Sequence, residues 1–457
     1  MRNRNKISKT IILGSLGVAA TIVASQTPAI AQEKVTLKIA YSQDFVPLTP
    51  ELGKAYWASV IDQFQKANPN VTVEAIPVPG SYKDFENKMG LLYRSPDTAP
   101  DLAELSNQNI VQWIESGYLA DLSEYAAKAD WYKTIPDSVK AEYTLDGKVY
   151  GISHGENEMG LLYDKSLFQK AGIAMPWEPK SWKDVLDAAR KIKSSSPDAW
   201  PLWLSTGTAQ GASAASYGPN SLLLGSSDPT IYDAGSQKWV VDSKGIREVI
   251  DTYRTASAEG LLAPASQLLN ATAIATPPTE IPNHHIGITL AGNWFSLQWI
   301  KKVSAPYYPN AKDEVGFAPL PTVNGQAPGV GSALSGWGSS IYANSKNKDI
   351  AWKFIELQMT KDNILTAALN GWTPPTPEAM QDKDWLALDP FQDGFQKLLP
   401  QSVGIPLKAG YPVWAMGFIT ATEAVVLDPT VSVDDAVQKM NDYVTNQLGG
   451  DQVMVKK

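Results

Sequence analysis

Apolar and polar positions alternate with a period of two over "VTLKIAYS", where Val35, Leu37 and Ile39 share one face, and this spacing predicts a strand. The period then changes. In "YWASVIDQFQKANPN" the residues Trp57, Val60, Ile61 and Phe64 recur on one helical face, and "NPN" supplies the stop. "VTVEAIPV" returns to a strand. The exchange repeats through a helix at "YKDFENKMGLLYR", a strand near "DLAEL" and a helix at "NIVQWIESG". A second region of the same kind opens near "GKVYGIS", includes the helix "SWKDVLDAARKIKS" and reaches a further strand at "IGITL". The Gly- and Pro-rich, strand-like "EVGFAPLPTVNGQAPGVGSALSGWGSSIYA" leads into helices at "NKDIAWKFIELQMT" and "NILTAALNG". "SVDDAVQKMNDYVTNQL" closes the chain as an amphipathic helix capped by Ser432 or Asp434. Strands alternating with helices, without an internal repeat, predict α/β layers with largely parallel sheets.

One junction stands out from the pattern. In "HIGITLAGNWFSLQWI" the strand breaks on Gly292 and Asn293 and is followed at once by Trp294 and Phe295. A large aromatic just past the open end of a strand is either a core filler or a platform for something flat. The platform reading is preferred: Gly292 admits close approach of the backbone, and Asn293 can cap the helix that begins after it. Trp57 and Trp352 sit on amphipathic helices and are assigned to the core. The chain holds 15 Trp and 18 Tyr against 10 Phe. Trp and Tyr favour half-wet positions, so the surplus points to an aromatic-lined cleft.

The N-terminus changes the picture of location. "MRNRNKISKT" carries four cationic side chains and no acidic one, an apolar run of 14 follows from Ile11 to Ala24, and Ala29-Ile30-Ala31 has the form of a signal peptidase site. The run falls short of the roughly 20 residues that span a bilayer. Residues 1–31 are therefore expected to be a signal peptide. Their removal takes away four positive charges and no negative ones, so the formal net charge of −8 becomes −12. No basic face is left for nucleic acid or an anionic membrane. The chain has no cysteine, hence no disulfide and no acyl-cysteine anchor, and its core alone must hold it. A soluble periplasmic monomer, free of lipid, is the expectation.

Catalytic patterns are thin. "GISHG", Gly151–Gly155, matches the nucleophile elbow with Ser153 at its centre and His284 or His285 downstream. An elbow needs a helix directly after it, and "ENEMGLLYD" reads instead as a turn and strand. Glu156 and Glu158 could form a glycosidase pair, but carboxylates one residue apart are an ordinary motif. Three His, two of them adjacent, make no spaced metal-ligand set, and no intact phosphate-binding Gly loop is present. No cofactor, metal or catalytic residue is assigned.

A binding reading uses more of the chain. Open α/β sheets bind ligands at the carboxyl ends of their strands. Those ends here are "SQD" (42–44), "ELSNQN" (104–109), "GENE" (155–158), "GNW" (292–294), "SGW" (335–337) and "GYPVW" (410–414), each polar, aromatic or both. The same stretches resemble the extracellular solute-binding proteins of ABC importers, the maltose-binding-protein-like family. "FQKANPNVTVEAIPV", "APDLAELSNQNIVQWIESGYLADLSEY", "GKVYGIS…LLYDKSLFQKAGI…SWKDVLDAARKI", "IGITLAGNW" and "VGFAPLPTVNG…SGWGSSIYANSKNKDIAWKFI" fall in that family's order and spacing.

The resemblance implies a two-lobed α/β periplasmic binding protein fold with the ligand cleft between lobes and three hinge crossings. These are placed near Gly151–Gly155, Ser335–Ser340 and Trp385–Phe391. It sets an N-terminal lobe at residues 32–153 plus 338–390 and a C-terminal lobe at 154–337 plus 391–457. Carried over by position, its ligand contacts are Gln43 and Asp44, Glu86, Asn107 and Gln108, Glu158, Trp294, Trp337 and Trp414. Asn107 and Gln108 stand where many relatives have Asp, and Trp337 where many have Gly. The implied function is capture of an uncharged sugar of disaccharide size, with glucosylglycerol, sucrose, trehalose and maltose all admissible, and delivery to inner-membrane permease subunits. A cationic solute or peptide is the alternative in the binding class, and a Ser153 hydrolase the alternative outside it.

Overall fold

The computed structural model describes residues 34–44, 49–80, 82–300 and 306–456, so the expected signal segment lies outside the described residues. Strand β1 (Val35–Ser42) pairs in parallel with β2 (Val71–Val78) and with β3 (Leu102–Ser106). Helix α1 (Pro50–Ala67) makes the crossover between β1 and β2. It starts with Pro in its first turn and the Thr49 hydroxyl accepting from the Leu52 N–H, and it buries Tyr56, Trp57, Val60 and Phe64. Trp57 stacks on Tyr41 of β1, ring centroids 4.4 Å apart. Helix α2 (Tyr82–Leu92) then leads toward β3.

The centre of the molecule departs from the largely parallel expectation. The long strand Ile152–Asp164 runs through two sheet regions. Its first half pairs antiparallel with the return strand Ala333–Ile341, and its second half pairs antiparallel with Ile286–Gly292 and Val315–Ala318. The return strand also lies antiparallel to β3. The wings are parallel, β1 with β2 and β3 on one side and Ile286–Gly292 with Trp200–Trp203 on the other, as are two short pairings, the start of the return strand with Val403–Gly404 and Val453–Val455 with Lys238–Asp242. A crossover helix is what lets β1 pair in parallel with β2.

Two separate apolar cores flank this centre. The first is built from residues between Leu37 and Ile152 and between Leu334 and Met380, with Leu399. The second is built from residues between Met159 and Ala333 and from Phe391, Phe395 and the stretch from Ile405 to Val444. Core membership changes between Ile152 and Met159, between Ala333 and Leu334, and between Met380 and Phe391. A small third cluster of Leu297, Ile300, Ala368 and Trp385 joins the two sides. The expected helices form, with Ser181 and Asp184 closing a capping box on Trp182–Ser195 and Ser432 capping Val433–Leu448. Among the described residues no helix is long and apolar enough to cross a membrane.

Candidate functional site

The middle of the long strand carries Glu156, Asn157 and Glu158 through the zone where the cores change over. Glu156 and Glu158 are fully buried, and so are Glu142 and Asn107 beside them. Glu156 and Glu158 are each held on one side only. The Ser153 hydroxyl donates to Glu156 Oε1 at 2.6 Å, and Glu156 Oε2 has no partner among the described residues. The Thr373 hydroxyl donates to Glu158 Oε2 at 2.7 Å, and Oε1 is left open in the same way. Asn107 donates through Nδ2 to Glu142 Oε2 and accepts through Oδ1 from the Gly336 N–H at 3.1 Å. Gly336 is required here, because a Cβ would sit 2.5 Å from Glu156 Oε2 and 2.7 Å from the Gly155 carbonyl.

Burial dominates the acidity of this floor. It pushes Glu142 and Glu158 up to about 8, and holds Glu156 well above the usual carboxylate range with help from the nearby Glu142 and Glu158 charges. Glu86 of α2 is a further carboxyl shifted upward, against Gln112. Its Oε2 accepts from Gln112 Nε2 at 3.0 Å, its Oε1 has no partner among the described residues, and burial raises it to about 8. No lysine or arginine forms an ion pair with any of the four glutamates among the described residues.

Aromatic side chains form the walls. On the first-lobe side Trp337 meets Phe85 edge to face, centroids 5.7 Å apart, beside a register shift in the return strand between Trp337 and Gly338. On the second-lobe side Trp294 is half-buried, with Tyr217 edge-on against it at 5.1 Å. Its indole lies back over Gly292, where an added Cβ would stand 1.8 Å from a ring carbon. Gly292 thus seats the indole itself. The segments Ser213–Ser216 and Pro219–Leu224 on either side of Tyr217 pack against the return strand, which brings this wall to the carboxyl floor. Tyr411 completes it. Its hydroxyl is held by Asn220 at 2.5 Å and by Ser216, and it feels the charge of Glu142 across the boundary.

The residues expected to contact ligand do not all fall on this surface. Asp44 is exposed and accepts the Gly80 N–H at 3.0 Å, while the half-buried Gln43 amide donates to Asp44. Both stand at the rim after β1. Asn107 is fully buried and spends both ends of its amide on protein partners, so it holds Glu142 and Gly336 in place. Gln108 is half-buried beside it. Glu158, Trp294 and Trp337 are the side chains described above, and Glu86 stands on α2 against Gln112. Trp414 departs from expectation: it is fully buried, donates its indole N–H to the Val240 carbonyl at 2.6 Å and packs on Phe418. The helix Tyr411–Leu427 buries residues on every side, and its first residue, Tyr411, reaches the site in place of Trp414. Asn293 also departs. It makes no side-chain cap bond, because its amide is used between the lobes.

Glu142, Tyr217, Asn220 and Tyr411 were not singled out from the sequence. Only the stretch "GYPVW" pointed near one of them. Ser153 lies inside a continuous strand with its hydroxyl committed to Glu156, whereas His284 and His285 bond Asp164 and Glu280. Ser153 therefore pairs with neither downstream histidine. No group of three or more His, Cys, Asp or Glu among the described residues could hold a metal.

Two α/β lobes are joined by strands that cross between them, with buried glutamates and aromatic side chains at the crossing. The chain belongs to the bacterial extracellular solute-binding proteins, whose family profile matches residues 47–363. It is a binding protein rather than an enzyme. A binding protein of Brucella abortus is 24% identical over 390 residues, covering 84% of this chain and 88% of the relative. The sn-glycerol-3-phosphate-binding periplasmic protein UgpB of Agrobacterium fabrum is 32% identical over 120 residues, 25% of this chain and 26% of its own. Among solved structures, the sugar-binding protein MalE of Xanthomonas citri superposes with a TM-score of 0.74 at 21% identity, over 90% of this chain and 96% of that one. The GacH receptor of Streptomyces glaucescens, a structure solved unliganded and with acarbose, gives 0.71 at 18% identity over 91% and 99%. These likenesses confirm the two-lobed fold.

Proposed function

We propose that this protein captures an uncharged, hydroxyl-rich solute, a sugar of disaccharide size, and presents it to the membrane permease of an ABC importer from the periplasm. The observation that carries the reading is the floor of buried glutamates with open oxygens and no cationic partner. Buried carboxyls near neutral pH stay protonated when no cation offsets them. A protonated carboxyl donates and accepts, which suits hydroxyl groups. It offers a phosphate no charge complement, which argues against a ligand of the kind named for the Agrobacterium relative. It also cannot neutralise an ammonium, which argues against a cationic solute. The half-buried Trp294 supplies an apolar face for a ring opposite these groups.

The lobe boundaries proposed from the sequence, residues 32–153 plus 338–390 against 154–337 plus 391–457, fit the places where core membership changes to within several residues. Closure of the lobes on ligand would be powered by contacts that form only in the closed state. The test is a thermal-shift screen of the chain from Gln32 onward against neutral sugars and polyols, sugar phosphates and cationic solutes. A neutral sugar is expected to raise the melting temperature, with an affinity that barely changes with salt. A shift from sugar phosphates alone, or from cations alone, would overturn the reading.

A further inference from the structure

Asn293 is bonded to three chain segments in the zone where core membership changes. It is fully buried. Its Nδ2 donates to the Glu156 carbonyl at 3.1 Å and to Thr373 Oγ1 at 2.9 Å, and its Oδ1 accepts from Asn157 Nδ2 at 2.8 Å. Its backbone N–H donates to the Glu158 carbonyl at 3.3 Å, and its own carbonyl accepts from Gln392 Nε2 at 3.1 Å. Asn157 also donates to the Gly371 carbonyl at 2.6 Å, and Gln392 to Asp389 Oδ2 at 2.9 Å. Glu156 and Thr373 exchange a reciprocal pair of backbone hydrogen bonds at 3.0 and 2.8 Å.

These partners lie on three chain segments. One is the long strand where it changes cores, one is Gly371–Thr373 beside the first-core residue Trp372, and one is the helix Gln392–Gln396 just after the second-core residue Phe391. The network has a direction at its polar end. The Asn293 amide donates to the Thr373 hydroxyl, which donates to Glu158 Oε2 and leaves Oε1 open. Trp294 follows Asn293 directly in the chain.

We infer that Asn293 is a positioning residue that ties the Trp294 platform and the Glu158 carboxyl to the crossings between the lobes, so that one network sets both the site's geometry and the lobes' relative position. The inference rests on the solute-binding reading above, but its test does not need the solute to be known. The chain has no cysteine, so Leu91→Cys on α2 and Leu427→Cys at the end of Tyr411–Leu427, both exposed, give a unique pair of spin labels, one per lobe. Pulsed EPR on the ligand-free chain from Gln32 onward reads the distance distribution between them. Asn293→Ala is expected to broaden it about twofold, as a clamp that selects one arrangement is lost. Thr373→Val keeps the side chain's shape and removes the hydroxyl relay, and is expected to broaden it in the same direction by less. It decides the matter alone if Asn293→Ala does not fold. Unchanged distributions alongside a lowered melting temperature would show a residue that serves stability only, and would overturn the inference. If a neutral sugar binds the wild type, Asn293→Ala is expected to bind it about tenfold more weakly. Failure of every sugar to bind the wild type would instead count against the proposed function and leave the EPR result to judge Asn293.

Discussion

Glu142, Glu156 and Glu158 have been taken out of water without gaining a cation, and their chemistry follows from that. An ionised carboxylate in such a place costs far more than a protonated one, so the proton stays. Glu158→Gln copies the protonated form. It is expected to leave stability at pH 6 unchanged within about 0.5 kcal/mol and to raise it relative to wild type at pH 9, by chemical denaturation at each pH. A large loss at pH 6 would mean that Glu158 is ionised there. Trp294→Ala removes a half-buried ring face without opening the core. It is expected to weaken ligand binding by roughly 1–3 kcal/mol with the fold retained. Affinity unchanged within about a factor of two, or 0.4 kcal/mol, would count against the platform. Trp414→Ala should do the opposite. It deletes a core side chain, so a loss of roughly 3–5 kcal/mol of stability is expected, with affinity kept in the protein that remains folded. The two tryptophans looked alike in the sequence, Trp294 two residues and Trp414 four residues after a glycine. What separates them is the helix around Trp414, apolar on all faces, which offers no periodicity to say which side meets water.

Among the elements, period and stop signals identified β1 and β2 to the residue and the main amphipathic helices to within a few residues. Direction was not legible. "GENEMGLLYD" and "SALSGWGSSIYA" read as strands in either orientation, and pairing partners more than a hundred residues apart leave no local mark. Glu142 was illegible for a related reason: it follows the short helix Asp137–Ala141, and tertiary packing of Asn107 and Gly404 against its carboxyl is what buries it. Nothing in "SGW" marks the role of Gly336. The return strand passes directly over the Glu156 carboxyl there, so Gly336→Ala must displace either that carboxyl or the strand. A loss of roughly 1–3 kcal/mol is expected, together with weakened binding, by denaturation and titration. A fully stable variant would show that the strand has room to move.

On the scale of the whole molecule, the raised carboxyls predict how stability depends on pH. The folded chain holds protons on Glu142, Glu158 and Glu86 up to about 8, where unfolded glutamates release them near 4.5. Between those values the folded state binds more protons than the unfolded one, so stability should fall as pH rises from about 4.5 to about 8 and then level off. Melting temperatures across that window check the sign, and a rise with pH would contradict the protonated floor. The molecule's central claim is that its two lobes close on a neutral, hydroxyl-bearing ring compound held between protonated carboxyls and the Trp294 face. Isothermal titration of the chain from Gln32 onward, with the neutral sugar that gives the largest thermal shift, tests it most directly. Saturable one-to-one binding is expected, with an affinity that is nearly independent of salt and weakens above about pH 8 as the glutamates ionise. Binding confined to phosphorylated or cationic solutes, with strong salt dependence, would contradict it.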